Sequence, residues 1–364
     1  MKEDGGSIIG QTLARRGVKQ LFTLCGGHIS PILVGAKAHG LRIVDVRDEV
    51  SAVFAADAVA RMTGVPGVVA VTAGPGVTNT ITAVKNAQMA QSPLIIFGGA
   101  AATLLKGRGS LQDIDQISVM ESITKWAVSL KTVSSVGPTV ERAFDIATQG
   151  VPGPVFVEVP IDLLYSEELV REMFMNESGV KDAKDIGSKA LELYLRGHLY
   201  RQFHQPHVSI APPRRETIPI KRSYPSTHIK KVASLLQDAE RPALVIGSQA
   251  LVNTRDAESI ADAVRTLGMP TWLGGMARGL LGQKSNIQFR HKRTAALKEA
   301  DLAIVAGFPF DFRLGYGRSI SSRATLVAAN LSAGEMRKNR KPEIPVQMHA
   351  GEFLKALAEA AGGL

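Results

Sequence analysis

Cysteine is almost missing: Cys25 stands alone among 364 residues. An intrachain disulfide is thereby excluded, and a reducing compartment is implied. Aromatic residues make up 5%, with two tryptophans, too few for the stacking platform of a single-strand binder. No apolar run reaches the ~20 residues of a membrane-spanning helix. The opening MKEDGGSIIGQTLARRG is too polar for a signal peptide. The chain by itself therefore reads as soluble and cytosolic, with no membrane segment. GxGxxG with an acid at dinucleotide spacing is absent, which argues against NAD, and so is GxxxxGK[ST]. No zinc spacing occurs. The formal charge of +10 is concentrated in loop-like stretches, at Arg214, Arg215, Lys221, Arg222, Lys230 and Lys231, and in the run Arg337, Lys338, Arg340, Lys341. These read as solvated surface, and no nucleic-acid partner is expected.

Hydrophobic residues are plentiful at 45%, and many of the 35 glycines end apolar segments, as βα turns require. The runs QLFTLCG, LRIVDV, GVVAVTAG, SPLIIFGGA and GPVFVEVP read as strands. Helical patterns fall between them: SIIGQTLARRG, EVSAVFAADAVARMTG, VTNTITAVKNAQMAQ and TVERAFDIATQ. Nearly continuous apolar strands point to a parallel sheet covered on both faces. Residues 171–226 read as a linker, with a charged helical segment at the start and a stretch rich in proline and basic residues after it. A second set follows: the strands RPALVIGSQALV, TWLGG, DLAIVAGF and ATLVAANL, with helices at THIKKVASLLQDA, RTAALKEA and GEFLKALAEAAGGL and a helix end at ADAVRTLGMP. The expected fold is α/β, two doubly wound parallel-sheet domains over 1–170 and 227–364.

Two seams invite chemistry. In RDEVSAVFAADAVARMTG, Asp48 and Glu49 stand where a strand hands over to a helix. An N-cap and a first-turn acid would explain both. In GVVAVTAGPGVTNTITAVKNAQ, Gly74-Pro75-Gly76 fixes a tight turn that lets a flat ligand approach the backbone.

The ordered set LCGGHISPIL, RDEVSAVFAADAVARMTG, VTAGPGVTNTITAVKNA, QSPLIIFGG, QDIDQISVMESITKW and GPVFVEVPIDLL resembles the pyrimidine-binding domain of thiamine-diphosphate-dependent enzymes. The branch is that of acetolactate synthase, oxalyl-CoA decarboxylase and 2-hydroxyacyl-CoA lyase. The segments RPALVIGSQAL, GMPTWLGGMARGLLG and KRTAALKEADLAIVAGFPFDFRLGYG resemble the central, nucleotide-cleft domain of that branch. The resemblance implies that Glu49 hydrogen-bonds N1′ of the cofactor's aminopyrimidine and so helps activate the thiazolium. Burial beside Val50, Val53 and Phe54 would favour the proton sharing this needs. Many relatives carry histidine before this glutamate, where this sequence has Asp48.

By the same resemblance Gly26, Gly27 and His28 belong to a loop across the reaction centre, His28 being a proton shuttle or a plain loop histidine. Gly74, Gly76 and Asn79 match the turn beside the pyrimidine, though Asn79 would also serve as a helix cap. Gln112 matches a glutamine near the reactive face, or is a polar loop residue. Arg278, Asp311 and Arg313 match motifs around a cleft that holds FAD or ADP in some relatives, or structural turns of a vestigial cleft.

The Gly-Asp-Gly signature of the family's diphosphate domain does not occur. The sequence therefore reads as a fragment, a splice product or an incomplete gene model, with the Mg²⁺ site in the missing domain and no metal ligand here. The implied activity is a carbon–carbon lyase or synthase, cleaving 2-hydroxyacyl-CoA to formyl-CoA and an aldehyde, or an acetolactate synthase acting on a 2-oxo acid. The implied setting is fatty acid α-oxidation at the endoplasmic reticulum, in a homodimer. The rival is an inactive truncated subunit that pairs with the full-length enzyme. The covered face is expected on Val53, Phe54, Val77, Ile81, Val84 and Met89.

Overall fold

A computed structural model describes residues 4–179, 185–206 and 226–362. Arg214, Arg215, Lys221, Arg222 and most of the proline-rich linker stretch lie outside them. The chain divides into two compact units, Met1–Thr217 and Ile218–Leu364.

The first unit runs α1 (Gly5–Arg15), β1 (Gln20–Thr23), α2 (Ser30–Ala38), β2 (Arg42–Asp45), α3 (Glu49–Thr63), β3 (Gly67–Val71), α4 (Pro75–Thr78), α5 (Ile81–Ala90), β4 (Leu94–Ala100), α6 (Gln116–Glu121), β5 (Trp126–Ser129), α7 (Val136–Thr148), β6 (Pro154–Pro160), α8 (Glu167–Glu177) and α9 (Ile186–His204). Its six strands are all parallel, in the order β2-β1-β3-β4-β6-β5. The central strands β3, β4 and β6 are buried along their whole length. That is the burial expected of near-continuous apolar runs between two helix layers. Ile95, Phe97 and Val157 face one layer; Ile96, Phe156 and Val69 face the other.

The second unit runs α10 (Ser226–Asp238), β7 (Pro242–Ile246), α11 (Ala257–Leu267), β8 (Thr271–Leu273), α12 (Arg293–Glu299), β9 (Leu302–Ala306), β10 (Thr325–Ala329), α13 (Ala333–Arg337), β11 (Ile344–Val346) and α14 (Ala350–Gly362). Its five strands are also parallel, ordered β11-β10-β9-β7-β8. Two doubly wound sheets are therefore present, as the alternation of apolar runs implied.

Four findings differ from the sequence expectations. Two short strands, β5 and β11, and the helices α2, α6 and α13 went unanticipated. The helix read across VTNTITAVKNAQMAQ breaks at Asn79 and Thr80 into α4 and α5. The stretch expected as a linker is more helical than its opening charged segment, which is α8 ending at Glu177: a further helix, α9, spans Ile186–His204. Val170, Phe174 and Leu199 from these helices form a small apolar cluster with Ala102 of the first unit. Beneath α9, Gln202 Nε2 donates to Asp162 Oδ2 at 2.7 Å and to Thr103 Oγ1 at 2.7 Å. The 3.6-residue signal of α9 is blurred because it exposes Ile186, Leu193 and Tyr200 while burying Leu195 and Leu199. Finally, Val53, Val77 and Val84 are not bare. They are fully buried in the unit's own core, whereas Phe54 is 43% and Met89 76% exposed.

Candidate functional site

In an open parallel sheet, ligands bind past the carboxyl ends of the strands, where the strand order reverses. In the first unit that point lies between β1 and β3. The loops leaving β1, β2, β3 and β4 carry the site residues expected in this unit.

Glu49 opens α3. Asp48, just before it, is extended and its Oδ1 accepts a hydrogen bond from Val50 N at 3.0 Å, an N-cap. Because Asp48 takes the cap, the Glu49 carboxyl is free to turn inward, where it is 6% exposed. Its Oε2 accepts from Asn79 Nδ2 at 3.0 Å. Asn79 thus spends its side chain on Glu49 rather than on a helix N-terminus, while its backbone N–H closes the end of α4. Among the described residues Glu49 Oε1 accepts no hydrogen bond. It faces Gly76, where an added Cβ would sit 3.6 Å from it and 2.8 Å from Thr72 Cγ2. This oxygen is not sealed from solvent, so a ligand's donor can reach it. The bare Cα of Gly76 leaves a flat space beside that oxygen. This cradle fits a planar heteroaromatic ring with a hydrogen-bonding nitrogen, as the aminopyrimidine of thiamine diphosphate is.

The glycines around the cradle are held by contact. Gly74 has φ +58°, and a Cβ there would lie 2.6 Å from the Gln112 carbonyl oxygen. A Cβ on Gly26 would lie 2.5 Å from Thr72 Cβ. Gly27 is different: open space surrounds it within this unit.

His28 sits in the turn after β1, half-buried. Its Nδ1 lies 3.2 Å from Thr72 Oγ1, which donates its own proton to Gln112 Oε1 at 3.3 Å. A hydroxyl has one hydrogen, so satisfying both contacts makes Nδ1–H of His28 the donor to Thr72. Nε2 is left with a lone pair, the form a proton acceptor needs. Burial holds the imidazole below its ordinary pKa, which keeps it neutral. Gln112 has φ +61°, a left-handed conformation uncommon for a side-chain-bearing residue.

Two residues escaped the sequence reading. Thr72 connects His28 to Gln112. Gln116, buried at the start of α6, accepts from Gly74 N at 2.9 Å and donates to Gly99 O and Glu158 Oε1, each at 3.0 Å. Lys106 pairs with the other oxygen of Glu158. Gln116 so fastens the Gly74 turn to β4 and β6. Neither residue type announces itself in sequence; the one signal was position, Thr72 at the end of β3 just ahead of the Gly-Pro-Gly turn.

The second unit has its own reversal, between β7 and β9. Asp311 and Arg313 form a closed pair there: Arg313 donates through Nε at 3.1 and 3.0 Å and through Nη2 at 2.6 Å. Burial works against the Asp311 charge, but these bonds outweigh it and hold its pKa below the usual carboxylate value. The Arg313 guanidinium also stacks 5.0 Å over Phe308. Arg278 instead lines a cavity of about 750 Å³ with Trp272, Arg290, Lys292 and Arg293. Neither Asp311 nor Arg313 lines that cavity. Among the described residues no group of three or more His, Cys, Asp or Glu could hold a metal ion, and no helix is long and apolar enough to cross a membrane.

Comparison with known proteins gives the same two parts. The thiamine pyrophosphate enzyme N-terminal TPP binding domain matches residues 3–119, and the thiamine pyrophosphate enzyme central domain matches residues 229–357. The chain is 46% identical to 2-hydroxyacyl-CoA lyase 2 of Danio rerio, across 99% of this chain and 58% of the relative. It is 44% identical to the Homo sapiens protein of that name, across 99% and 57%. A probable acetolactate synthase of Mycobacterium bovis is 31% identical, across 89% and 52%. The chain thus spans little more than half the length of these relatives. With both domain types matched and the buried glutamate standing over its glycine turn, the chain belongs to the thiamine pyrophosphate enzymes.

Proposed function

We propose that this chain is the pyrimidine-holding and central part of a thiamine-diphosphate-dependent lyase that cleaves 2-hydroxyacyl-CoA to formyl-CoA and an aldehyde. The observation that carries the reading is the Glu49 carboxyl, buried, pinned on one oxygen by Asn79 and unserved on the other above Gly76. The names of the relatives near 45% identity direct it to this substrate class. Bound thiamine diphosphate supplies the carbon nucleophile and electron sink for carbon–carbon cleavage. Glu49 holds and exchanges a proton at the pyrimidine nitrogen. Asn79 keeps the Glu49 carboxyl in place. Gly26, Gly27, Gly74 and Gly76 keep side chains out of the ring's space. His28 Nε2 and the Gln112 amide serve the reacting side, His28 as the proton carrier.

Several finer features belong to the same proposal. Mg²⁺ binds the diphosphate outside this chain's residues. The cavity holding Arg278, Arg290, Lys292 and Arg293 suits the phosphates of FAD or ADP, with Asp311 and Arg313 shaping the neighbouring turn. The enzyme works as a homodimer in fatty acid α-oxidation at the endoplasmic reticulum.

The test is to extend the reading frame downstream, look for Gly-Asp-Gly, and assay the completed protein. Release of an aldehyde and formyl-CoA from 2-hydroxyacyl-CoA is expected. Acetolactate formed from pyruvate with no aldehyde from the thioester would replace this reading by the synthase one. No product from either substrate would leave a non-catalytic subunit.

A further inference from the structure

A cavity of about 220 Å³ opens beside His28 and runs under α8. Its walls are Ala102 and Leu105 after β4, Tyr165, and Val170, Met173 and Phe174 of α8. The small side chain of Ala102 keeps it open. No lysine or arginine lines it; His28 stands at one end, and the Ser110 hydroxyl on its wall already donates to Leu105 O at 2.9 Å. Asp162 borders it, but its carboxylate is already engaged: it accepts from Thr103 N at 3.1 Å, Thr103 Oγ1 at 2.6 Å and Gln202 Nε2 at 2.7 Å. The remaining charge is Glu177, exposed at the end of α8. A phosphate or carboxylate would find no lysine or arginine and would meet the charges of Asp162 and Glu177. An alkyl chain would meet wall that is mostly apolar. At the mouth stands Leu111, adjacent to Gln112 and 77% exposed, a side chain that a bound chain would cover.

We propose that this cavity takes the alkyl chain on carbon 2 of the substrate, with the reacting carbon at His28 and the coenzyme A portion outside. The inference rests on the lyase reading above, to which it adds the seat of chain-length selection.

The test measures binding on the whole chain, so it does not depend on turnover. Straight-chain 2-hydroxy acids of increasing length are titrated by calorimetry with thiamine diphosphate present. Affinity should rise roughly fourfold per added methylene and then level off once the cavity is full. Met173→Trp narrows the cavity from its exposed side, and Leu105→Trp does so from the opposite wall; neither residue is in a fully packed core. Each should bring the plateau to shorter chains and leave the affinity of the shortest acid unchanged. Affinity that ignores chain length, or one length profile shared by the wild type and both variants, would overturn the inference. A length profile that holds in a completed protein that cleaves no 2-hydroxyacyl-CoA would instead overturn the lyase reading and leave the cavity as an alkyl site.

Discussion

Glu49 and its neighbours divide one task among several side chains. Asp48 caps the helix, Asn79 fixes one carboxyl oxygen, and the other oxygen stays open. Glu49→Gln in the completed enzyme keeps size and one hydrogen bond but cannot exchange the proton. Turnover should fall by about 10²–10⁴-fold, with the thermal midpoint nearly unchanged and C2–H exchange of bound cofactor slowed in parallel. Normal exchange with lost turnover would refute this role. His28 gives a second expectation. Its pKa is lowered by burial, so the neutral, proton-accepting form persists below histidine's ordinary value. The acid limb of the kcat/KM profile should lie below that value, and Thr72→Val, which removes the partner of Nδ1, should shift the limb. An unmoved limb would detach Thr72 from the imidazole. The sequence made Glu49, His28 and Gln112 legible as separate family positions. It could not show that Thr72 joins two of them, because a threonine at a strand end looks the same whether or not its hydroxyl bridges.

Among the elements, α7 shows how a helix end is finished by a residue far off in sequence. Lys125 Nζ donates to the carbonyls of Ile146 and Gln149, the latter at 2.6 Å, serving groups that a helix C-terminus leaves unpaired. Burial pushes the Lys125 pKa down to about 8. A neutral amine still has two N–H groups for the two carbonyls. Between about pH 8 and 10.5 the unfolded chain binds this proton and the folded one does not, so the contribution of Lys125 to stability rises with pH across that window. The thermal midpoint of the wild type should gain on that of Lys125→Met from pH 8 to pH 10. A constant difference would place the folded pKa near its unfolded value. The elements that the sequence revealed are those with long apolar runs, such as β4 and β6. The strands β5 and β11 have four and three residues and lack the glycine border that follows the equally short β8. Helix α9 carries apolar residues on two faces, and a linker rich in charge hid it.

The molecule as a whole consists of two independently cored units, and that organisation was readable from the alternation of patterns alone. The surface was not. Which apolar residues of α3 and α5 point outward depends on rotation about the helix axis, and three of the six residues expected on the exposed face turned out to be core. The outward ones are Phe54, Met62 and Met89. Apolar patches of more than a few hundred Å² on such a face mark association. The purified chain should self-associate over a concentration series in sedimentation, and Phe54→Glu with Met89→Glu should return it to monomer. A monomer at every concentration would remove this face from the proposed dimer.

Strand β4 carries Gly98 and Gly99 just before its last residue, Ala100, and an added Cβ on Gly99 would lie 2.5 Å from His28 Cβ. Seen as inherited variation, this makes Gly99 a position where a single-base change to alanine does harm without loss of protein. The strand itself accepts alanine, so the chain should accumulate to its normal level in cells. The loop bearing His28 must retreat, so activity per molecule should fall. Abundance and activity scored side by side for Gly99→Ala should therefore separate, whereas for Ile95→Ala, deep in the same strand, they should decline together.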